Sequence, residues 1–292
     1  MLLEKSFDTG EVVLNYAEGP ESGPPLLCLH GLTDRWQYFL PILPSLSARW
    51  HTYALDFRGH GRSSRTPPYR YVDHISDTIT FLENLMREKA VIFGSSMGGM
   101  ISLMVAAERP DLVEAVIFGD ASIKVEHVRE VMTDYHSYWE GWRKLAGFEG
   151  PIEDLVKAVA DMPVDVPGQG KTRYGEGLDF TALLNKANYL RHLDPEVLSD
   201  WARGRDDVEA YRNVTLGYDE KRLRNVSCPV MILQGNVRRG AIMSDDEVEH
   251  ALSLMPHAFH VYLEEYGHNL GLYSWNPGLL LQVVVTFLES LR

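Results

Sequence analysis

Cysteine is scarce in this sequence, with Cys28 and Cys228 the only two among 292 residues. Two cysteines are too few for the disulfide framework of a small secreted domain, so we expect two buried free thiols in a reducing compartment. Neither cysteine stands at a spacing from histidine that is typical of a zinc site. The sequence therefore predicts no metal and no cofactor.

Basic residues are also few, since 28 Lys and Arg stand against 41 Asp and Glu and the formal net charge is −13. A nucleic-acid backbone repels such a chain on average. No apolar run approaches the ~20 residues that cross a bilayer, and the start, Met1 to Lys5, lacks the apolar centre of a signal peptide. We expect a cytoplasmic protein that acts on a small molecule, with no nucleic-acid or membrane partner. Homo-oligomer formation stays open.

The ordinary features of the chain are its apolar fraction of 45% and its charged fraction of 24%, which suit a globular protein with a large core. A hairpin pattern from Leu2 to Ala17 is followed by buried strands that alternate with helical patterns as far as Gly119. One of those helical patterns runs from Trp36 to Ala48. This alternation predicts an α/β fold with a mostly parallel sheet covered by helices on both faces.

The alternation stops after Asp120 and resumes at Pro229. Residues 122–224 are rich in helix formers, and we expect a helical insertion over the sheet, with a loop at 163–177. The division that follows is a core of residues 1–121 and 225–292 and a cap of residues 122–224. Its aromatic residues, which we interpret as internal packing of the cap, are Tyr135, Tyr138, Trp139, Trp142, Tyr189, Trp201 and Tyr211.

The strongest motif is Gly94-x-Ser96-x-Gly98, which lies between an apolar strand and a helical pattern. A serine in such a strand–turn–helix context is typical of a nucleophile elbow. The turn holds the serine in strained backbone geometry, and the glycines avoid clashes with the packed strand and helix. The N-terminus of the following helix favours negative charge at the reacting centre. Ser96 is therefore the predicted nucleophile.

Three further motifs occur in order along the chain. They are His30-Gly31 after an early strand, the stretch from Asp56 to Ser63 with Arg58, Gly59 and Gly61, and Gly267-His268 after the last strand. Together with the serine motif they resemble the α/β-hydrolase superfamily, from end to end of the chain apart from the insertion. The resemblance implies an eight-stranded sheet and a helical cap between the sixth and seventh strands.

The same resemblance implies roles for several residues. His268 is expected to be the base for Ser96, and the backbone N–H groups of Leu32 and Met97 are expected to form the oxyanion hole. His30 is expected to stabilise its loop. Asp56 and Arg58 are expected to tie their loop beside the nucleophile turn.

The sequence does not decide which carboxylate orients His268. Relatives carry an aspartate three residues after Gly235, but Arg238 stands there, and arginine cannot accept a hydrogen bond. Asp120, at the end of the sixth strand, is the first candidate, because some relatives place the acid there. Asp245 and Asp246 are alternatives, although both also fit the first turn of a helix. The remaining alternative is that no carboxylate contacts His268.

The motifs predict a serine hydrolase of small carbonyl substrates, most simply a carboxylic ester, that forms an acyl-enzyme on Ser96. An alternative with the same residues is a C–C bond hydrolase or a lactonase, in which Arg238 or Arg191 would bind a substrate carboxylate. A third hypothesis is a non-catalytic ligand-binding protein on a hydrolase fold, which the missing aspartate after Gly235 favours.

Overall fold

The structure is a computed structural model that describes residues 1–292. Its strands are β1 Leu3–Asp8, β2 Val13–Glu18, β3 Pro25–Leu29, β4 His51–Leu55, β5 Ala90–Ser95, β6 Val113–Gly119, β7 Pro163–Val166, β8 Gly170–Arg173, β9 Val230–Gly235 and β10 Ala258–Leu263. Eight of them form one sheet in the order β1-β2-β4-β3-β5-β6-β9-β10. Strands β1 and β2 pair antiparallel at one edge, and all strands from β4 to β10 in that order are parallel. The predicted sheet is confirmed.

The helices surround this sheet, and none of them combines the length and the apolar character needed to cross a bilayer. They are α1 Leu43–Leu46, α2 Tyr71–Leu85, α3 Met97–Glu108, α4 Val125–Asp134, α5 His136–Leu145, α6 Ile152–Asp161, α7 Phe180–Arg191, α8 Ser199–Arg203, α9 Val208–Thr215, α10 Asp245–Leu254 and α11 Gly278–Ser290.

Strand β5 lies near the middle of the sheet and is buried on both faces. Successive side chains of a strand point to opposite faces. Ile92 accordingly joins an apolar cluster with residues of α2 and α3, whereas Val91 and Phe93 join a second cluster with residues of α1 and α11. Burial on both faces explains the continuous apolar run of this strand, and it fixes the position of the turn at its end.

The predicted helix from Trp36 to Ala48 is wrong. The structure has a 3₁₀ turn at Trp36–Phe39 and the short helix α1 instead. Pro41 and Pro44 explain the break, because proline donates no backbone hydrogen bond and its ring clashes with the preceding turn.

The predicted loop at 163–177 is also wrong, because strands β7 and β8 pair there as an antiparallel hairpin, from Pro163 opposite Arg173 to Val166 opposite Gly170. Gly168 and Gly170 have φ values of 73° and 86°, which glycine adopts readily at such a turn. Proline and glycine here mark a hairpin rather than an unstructured segment.

Asp56 and Arg58 stabilise the loop after β4 through different contacts. The buried Asp56 carboxylate accepts hydrogen bonds from the Trp36 N–H at 2.6 Å and from the Asn15 amide at 2.8 Å. Arg58 makes a bidentate, buried ion pair with Asp77 of α2, at 2.6 and 2.7 Å. The loop is therefore tied to β2, to the 3₁₀ turn and to α2, so both residues have the structural role that was expected of them.

The two cysteines are free and differ in burial. Cys28 lies fully buried in β3, and burial raises the pKa of its thiol. Cys228 is only partly buried, just before β9, so the prediction of a buried thiol holds for Cys28 alone.

An ion pair joins the beginning of the 122–224 segment to helix α10. His127 Nδ1 lies 2.5 Å from Glu247 Oε2, and the carboxylate raises the pKa of His127 above its ordinary value of 6.5. The other oxygen of Glu247 accepts hydrogen bonds from the N–H groups of Ile123 and Lys124, at 2.8 and 3.3 Å. Glu247 is 2% exposed, so solvent screens this pair weakly.

This ion pair predicts a pH-dependent contribution to stability. Since folding raises the pKa of His127, the contribution is complete below about pH 6.5 and is lost as the pH rises through the folded pKa. We expect His127→Gln to lower the free energy of unfolding at about pH 6 and to change it little at about pH 9. Urea titrations at the two pH values measure this, with the exposed His257→Gln as control. An equal effect of His127→Gln at both pH values would contradict the prediction.

Candidate active site

Ser96 occupies the turn between β5 and α3. Its φ of 54° and ψ of −124° lie outside the regions that residues with a side chain usually adopt. A Cβ atom on Gly98 would stand 2.2 Å from the Leu29 carbonyl oxygen, and one on Gly94 would stand 2.2 Å from the Gly98 carbonyl oxygen. Only glycine fits at both positions, so the motif is required by the close approach of α3 to the strands.

His268 joins Ser96 to a carboxylate. It follows β10, and its Nε2 lies 3.1 Å from Ser96 Oγ. Its Nδ1 lies 2.6 Å from Oδ2 of Asp120, the residue after β6. The hydrogen bond predicted between Asp120 and His268 is therefore present. Strands β5 and β6 are neighbours in the sheet, which brings the serine and the aspartate to the same edge.

Two backbone N–H groups fix the Asp120 carboxylate. Gly235 donates to Oδ1 at 3.2 Å and Ile242 donates to Oδ2 at 3.0 Å. Asp120 is fully buried and has a φ of 31°. Both oxygens act as acceptors, so the carboxylate is oriented to receive the N–H of His268 Nδ1 and to leave Nε2 for Ser96.

The alternative acids lie elsewhere. Asp245 accepts a hydrogen bond from the Gln234 amide at 2.9 Å, and Asp246 is exposed in the first turn of α10; neither contacts His268. Arg238 is exposed in the 3₁₀ turn after β9. Among the three aspartates considered, Asp120 alone is hydrogen-bonded to the histidine.

The Leu32 and Met97 N–H groups adjoin Ser96. Met97 begins α3, where N–H groups have no partner within the helix, and the Leu32 N–H has no acceptor in the protein. The two residues line the same cavity as Ser96. Both N–H groups are thus available to a bound oxygen atom.

His30 orients the peptide that carries the Leu32 N–H. His30 Nδ1 lies 2.7 Å from the Gly31 carbonyl oxygen, and the Phe57 N–H donates to Nε2 at 3.2 Å. Burial lowers the pKa of His30 well below its ordinary value, so the ring is neutral, with its proton on Nδ1. Because the C=O and N–H of a trans peptide point in opposite directions, holding the Gly31 oxygen aims the Leu32 N–H the other way.

A cavity of about 270 Å³ adjoins Ser96 and His268. Its walls combine core residues with side chains of the 122–224 segment. Five of the seven aromatic residues interpreted from the sequence as internal packing line it, namely Tyr135, Tyr138, Trp139, Trp142 and Trp201. These five side chains also pack against one another and against the apolar core, so they form internal packing and a wall of the cavity at the same time. Tyr189 and Tyr211 are outside the cavity, and Tyr211 instead donates a hydrogen bond to the Val125 carbonyl oxygen at 2.9 Å.

Comparison with known proteins agrees with this geometry. A family model described as alpha/beta hydrolase fold matches residues 24–152. The protein named "uncharacterized hydrolase YugF" of Bacillus subtilis is 31% identical over 189 residues, which cover 59% of this chain and 67% of that protein. The chain belongs to the alpha/beta hydrolase family.

Two further comparisons place this alpha/beta hydrolase among its relatives. A serine hydrolase-like protein of Danio rerio is 38% identical over 105 residues, which cover 35% of this chain and 32% of that protein. The match thus spans about a third of that relative. The crystal structure of E-2-(acetamidomethylene)succinate hydrolase superposes with a TM-score of 0.76 over 99% of this chain and all of that one, at 22% identity. This likeness shows the shared fold.

Sequence reasoning missed four polar residues that line the cavity of this alpha/beta hydrolase. They are Thr33, Asp34, Lys186 and Tyr273. Thr33 and Asp34 directly follow the Leu32 segment, so their position in the motif was an available signal. Lys186 occupies a buried position of α7, four residues after the buried Ala182 and four before the buried Leu190. A lysine on the apolar face of a helix was the second available signal.

His30→Phe is expected to reduce kcat about tenfold to hundredfold, because the Gly31 oxygen loses its donor and the Leu32 N–H loses its fixed direction. Phenylalanine fills the buried site, so the thermal midpoint should fall far less than for His30→Ala. Steady-state kinetics on a p-nitrophenyl ester measure kcat, and the exposed His257→Phe is the matched control. Unchanged kcat in a folded His30→Phe variant would show that His30 does not position the oxyanion donor.

Proposed function

We propose that this alpha/beta hydrolase is a serine hydrolase of small carbonyl substrates, most simply carboxylic esters, and that it forms an acyl-enzyme on Ser96. The observation that carries the proposal is the hydrogen-bonded series of Ser96, His268 and Asp120. Ser96 lines a cavity whose walls are rich in aromatic side chains. The distances of 3.1 and 2.6 Å lie within the range over which proton transfer partners work.

Each group then has a chemical role. His268 Nε2 takes the proton of Ser96 Oγ as the oxygen attacks the carbonyl carbon, and Asp120 stabilises the imidazolium that forms. The N–H groups of Leu32 and Met97 bind the oxyanion of the tetrahedral intermediate. The imidazolium returns its proton to the leaving alcohol. Water, activated by the same histidine, then releases the acid and restores Ser96.

The 122–224 segment is proposed to cover the reaction site. Its support is the set of aromatic side chains that this segment contributes to the cavity beside Ser96. Cavities lined mostly by apolar and aromatic side chains, with few polar groups, are typical of small-molecule sites. The proposed partner is accordingly a small-molecule substrate. Excluding water from the site strengthens the electrostatic interactions within it.

The other hypotheses lose their particular support. C–C bond cleavage or lactone opening was linked to Arg238 or Arg191, but Arg238 is exposed and Arg191 donates to the Gly150 carbonyl oxygen, away from the cavity. The non-catalytic hypothesis rested on the missing aspartate after Gly235, and the contact between Asp120 and His268 removes that argument.

A fluorophosphonate probe followed by a series of p-nitrophenyl esters of increasing acyl length tests the proposal. We expect one equivalent of probe on Ser96, located by peptide mass spectrometry, and turnover that falls once the acyl chain exceeds what a cavity of about 270 Å³ can hold. Failure of both labelling and turnover would favour the ligand-binding hypothesis. Labelling without ester turnover would favour cleavage of another bond.

A further inference from the structure

Lys186 is a buried cation in the cavity that contains Ser96. It projects from α7, is 2% exposed, and lines the cavity with Ser96 and His268. Its Nζ donates a hydrogen bond to Thr33 Oγ1 and lies 3.7 Å from the centre of the Trp142 ring. The ammonium thus has one hydrogen-bond acceptor and two aromatic rings beside it, since Nζ also lies 5.9 Å from the centre of the Tyr273 ring.

These contacts leave the charge of Lys186 incompletely compensated. An ammonium group has three donors, and the structure provides an acceptor for one of them. No carboxylate lies within ion-pair distance of Nζ. The nearest acidic group in the cavity, Asp34, receives the hydroxyl of Tyr273 instead. Burial of a charge without a partner is strongly unfavourable, so a buried lysine with free donors indicates a site for an external anion.

The position of Lys186 places such an anion near the reacting serine. Thr33, its hydrogen-bond acceptor, is the residue after Leu32, whose N–H adjoins Ser96. The side chain of the next residue, Asp34, is also near the serine, because Asp34 Oδ2 and Ser96 Oγ lie 2.8 and 3.7 Å from the point where a Cβ of Gly31 would stand. One small molecule can therefore contact Ser96 and Lys186 together.

We propose that Lys186 binds an anionic group, most simply a carboxylate, of the substrate that Ser96 attacks. This rests on the proposed serine hydrolase function and narrows its substrates to compounds with an apolar body and one negative charge a few bonds from the scissile carbonyl. The two free N–H groups of Lys186 donate to the anion. The aromatic side chains of the cavity contact the apolar body. Substrates that carry a carboxylate are therefore hydrolysed with a higher kcat/KM than neutral substrates of the same shape.

Two matched pairs of esters test this inference. Monoethyl glutarate is compared with ethyl pentanoate, and 4-acetoxybenzoate with 4-methylphenyl acetate; within each pair a carboxylate replaces a methyl group. The first pair carries the charge on the acyl side and the second on the alcohol side. The quantity measured is the ratio of kcat/KM for the anionic ester to kcat/KM for the neutral ester. We expect this ratio to exceed the chemical ratio in alkaline hydrolysis for at least one pair.

Lys186→Met is expected to lower the ratio for that pair about tenfold to hundredfold, mainly through KM of the anionic ester, because a charge-assisted hydrogen bond is lost. Asp34→Asn is expected to raise it severalfold, because a negative charge leaves the cavity. Lys157→Met is the matched control, since Lys157 is exposed on α6 in the same segment, and it should leave the ratio unchanged.

The wild-type protein provides a test without substitution. Burial lowers the pKa of Lys186 to about 8, so the ratio should fall as the pH rises from about 7 to about 9.5. The titratable groups that line the cavity with Lys186 are Asp34, His268, Tyr71, Tyr135, Tyr138, Tyr174 and Tyr273, and burial raises the pKa of all five tyrosines. A pH effect on the catalytic step that is common to both esters of a pair cancels in the ratio.

The results separate this inference from the function on which it rests. No turnover of any ester and no serine labelling would overturn the proposed hydrolase. Turnover of the neutral esters with a ratio that neither Lys186→Met nor high pH lowers would overturn the anion site alone. If Lys186→Met fails to fold, the pH dependence of the wild-type ratio decides.

Discussion

Ser96→Ala is expected to reduce kcat for a good ester substrate by about 10⁶ while the fold persists. Ser96 Oγ is the hydroxyl that lies 3.1 Å from His268 Nε2, so its removal leaves the base without a nucleophile to activate. The residual rate comes from the Leu32 and Met97 N–H groups, which still bind the substrate carbonyl. The measurements are kcat on p-nitrophenyl esters and the mass of the protein after fluorophosphonate treatment.

The adjacent Ser95 provides the control. Its side chain is buried and shares a hydrogen bond of 3.0 Å with the Tyr38 hydroxyl. Ser95→Ala should lose about 1 kcal/mol of stability and keep both labelling and turnover. If Ser96→Ala keeps most of the wild-type turnover, the nucleophile has been wrongly identified.

Asp120→Asn is expected to lower kcat by up to about 10⁴. The asparagine amide cannot satisfy all the donors that surround the aspartate, because Gly235 donates to one carboxylate oxygen and Ile242 and His268 share the other. Either orientation of the amide sets an NH₂ group against an N–H group. A neutral amide also stabilises the imidazolium less than a carboxylate does. Single-turnover kinetics distinguish this loss of acylation rate from weaker binding.

Asp245→Asn and Asp246→Asn are the matched controls for Asp120→Asn. Both are exposed at the start of α10, where a negative charge contributes up to about 1 kcal/mol through the helix dipole. Neither should change kcat by more than about twofold. A large loss in either variant, with wild-type rates in Asp120→Asn, would move the acid to α10.

Local sequence determined much of the fold and the geometry around Ser96. The turn from β5 to α3 could be predicted because backbone strain and close packing restrict Gly94 and Gly98 to one residue type. The contact between Asp120 and His268 could be predicted because the carboxyl ends of the parallel strands β6 and β10 lie at the same edge of the sheet. The first inference depends on a short segment that the sequence pattern records directly, whereas the second depends on the strand order that the family resemblance implied.

Contacts between distant segments were not predictable in the same way. The hairpin of β7 and β8 was mistaken for a loop because its strands are short and their pairing does not follow from composition. Lys186 has neighbours in the cavity that lie far from it in the sequence, Thr33 and Trp142. Which face of α5 adjoins the cavity depends equally on how the helices pack together.

The residues that join β6 to α4 are fixed at both ends. Asp120 is held by the N–H groups of Gly235 and Ile242, and the Glu247 carboxylate holds Ile123 and Lys124 three and four residues later. A connection anchored in this way cannot serve as a hinge. If residues 122–224 swing away to admit a substrate, the pivot must lie beyond Lys124, and the mechanical strain of opening does not reach Asp120. The serine, histidine and aspartate would then remain assembled throughout the opening and closing cycle.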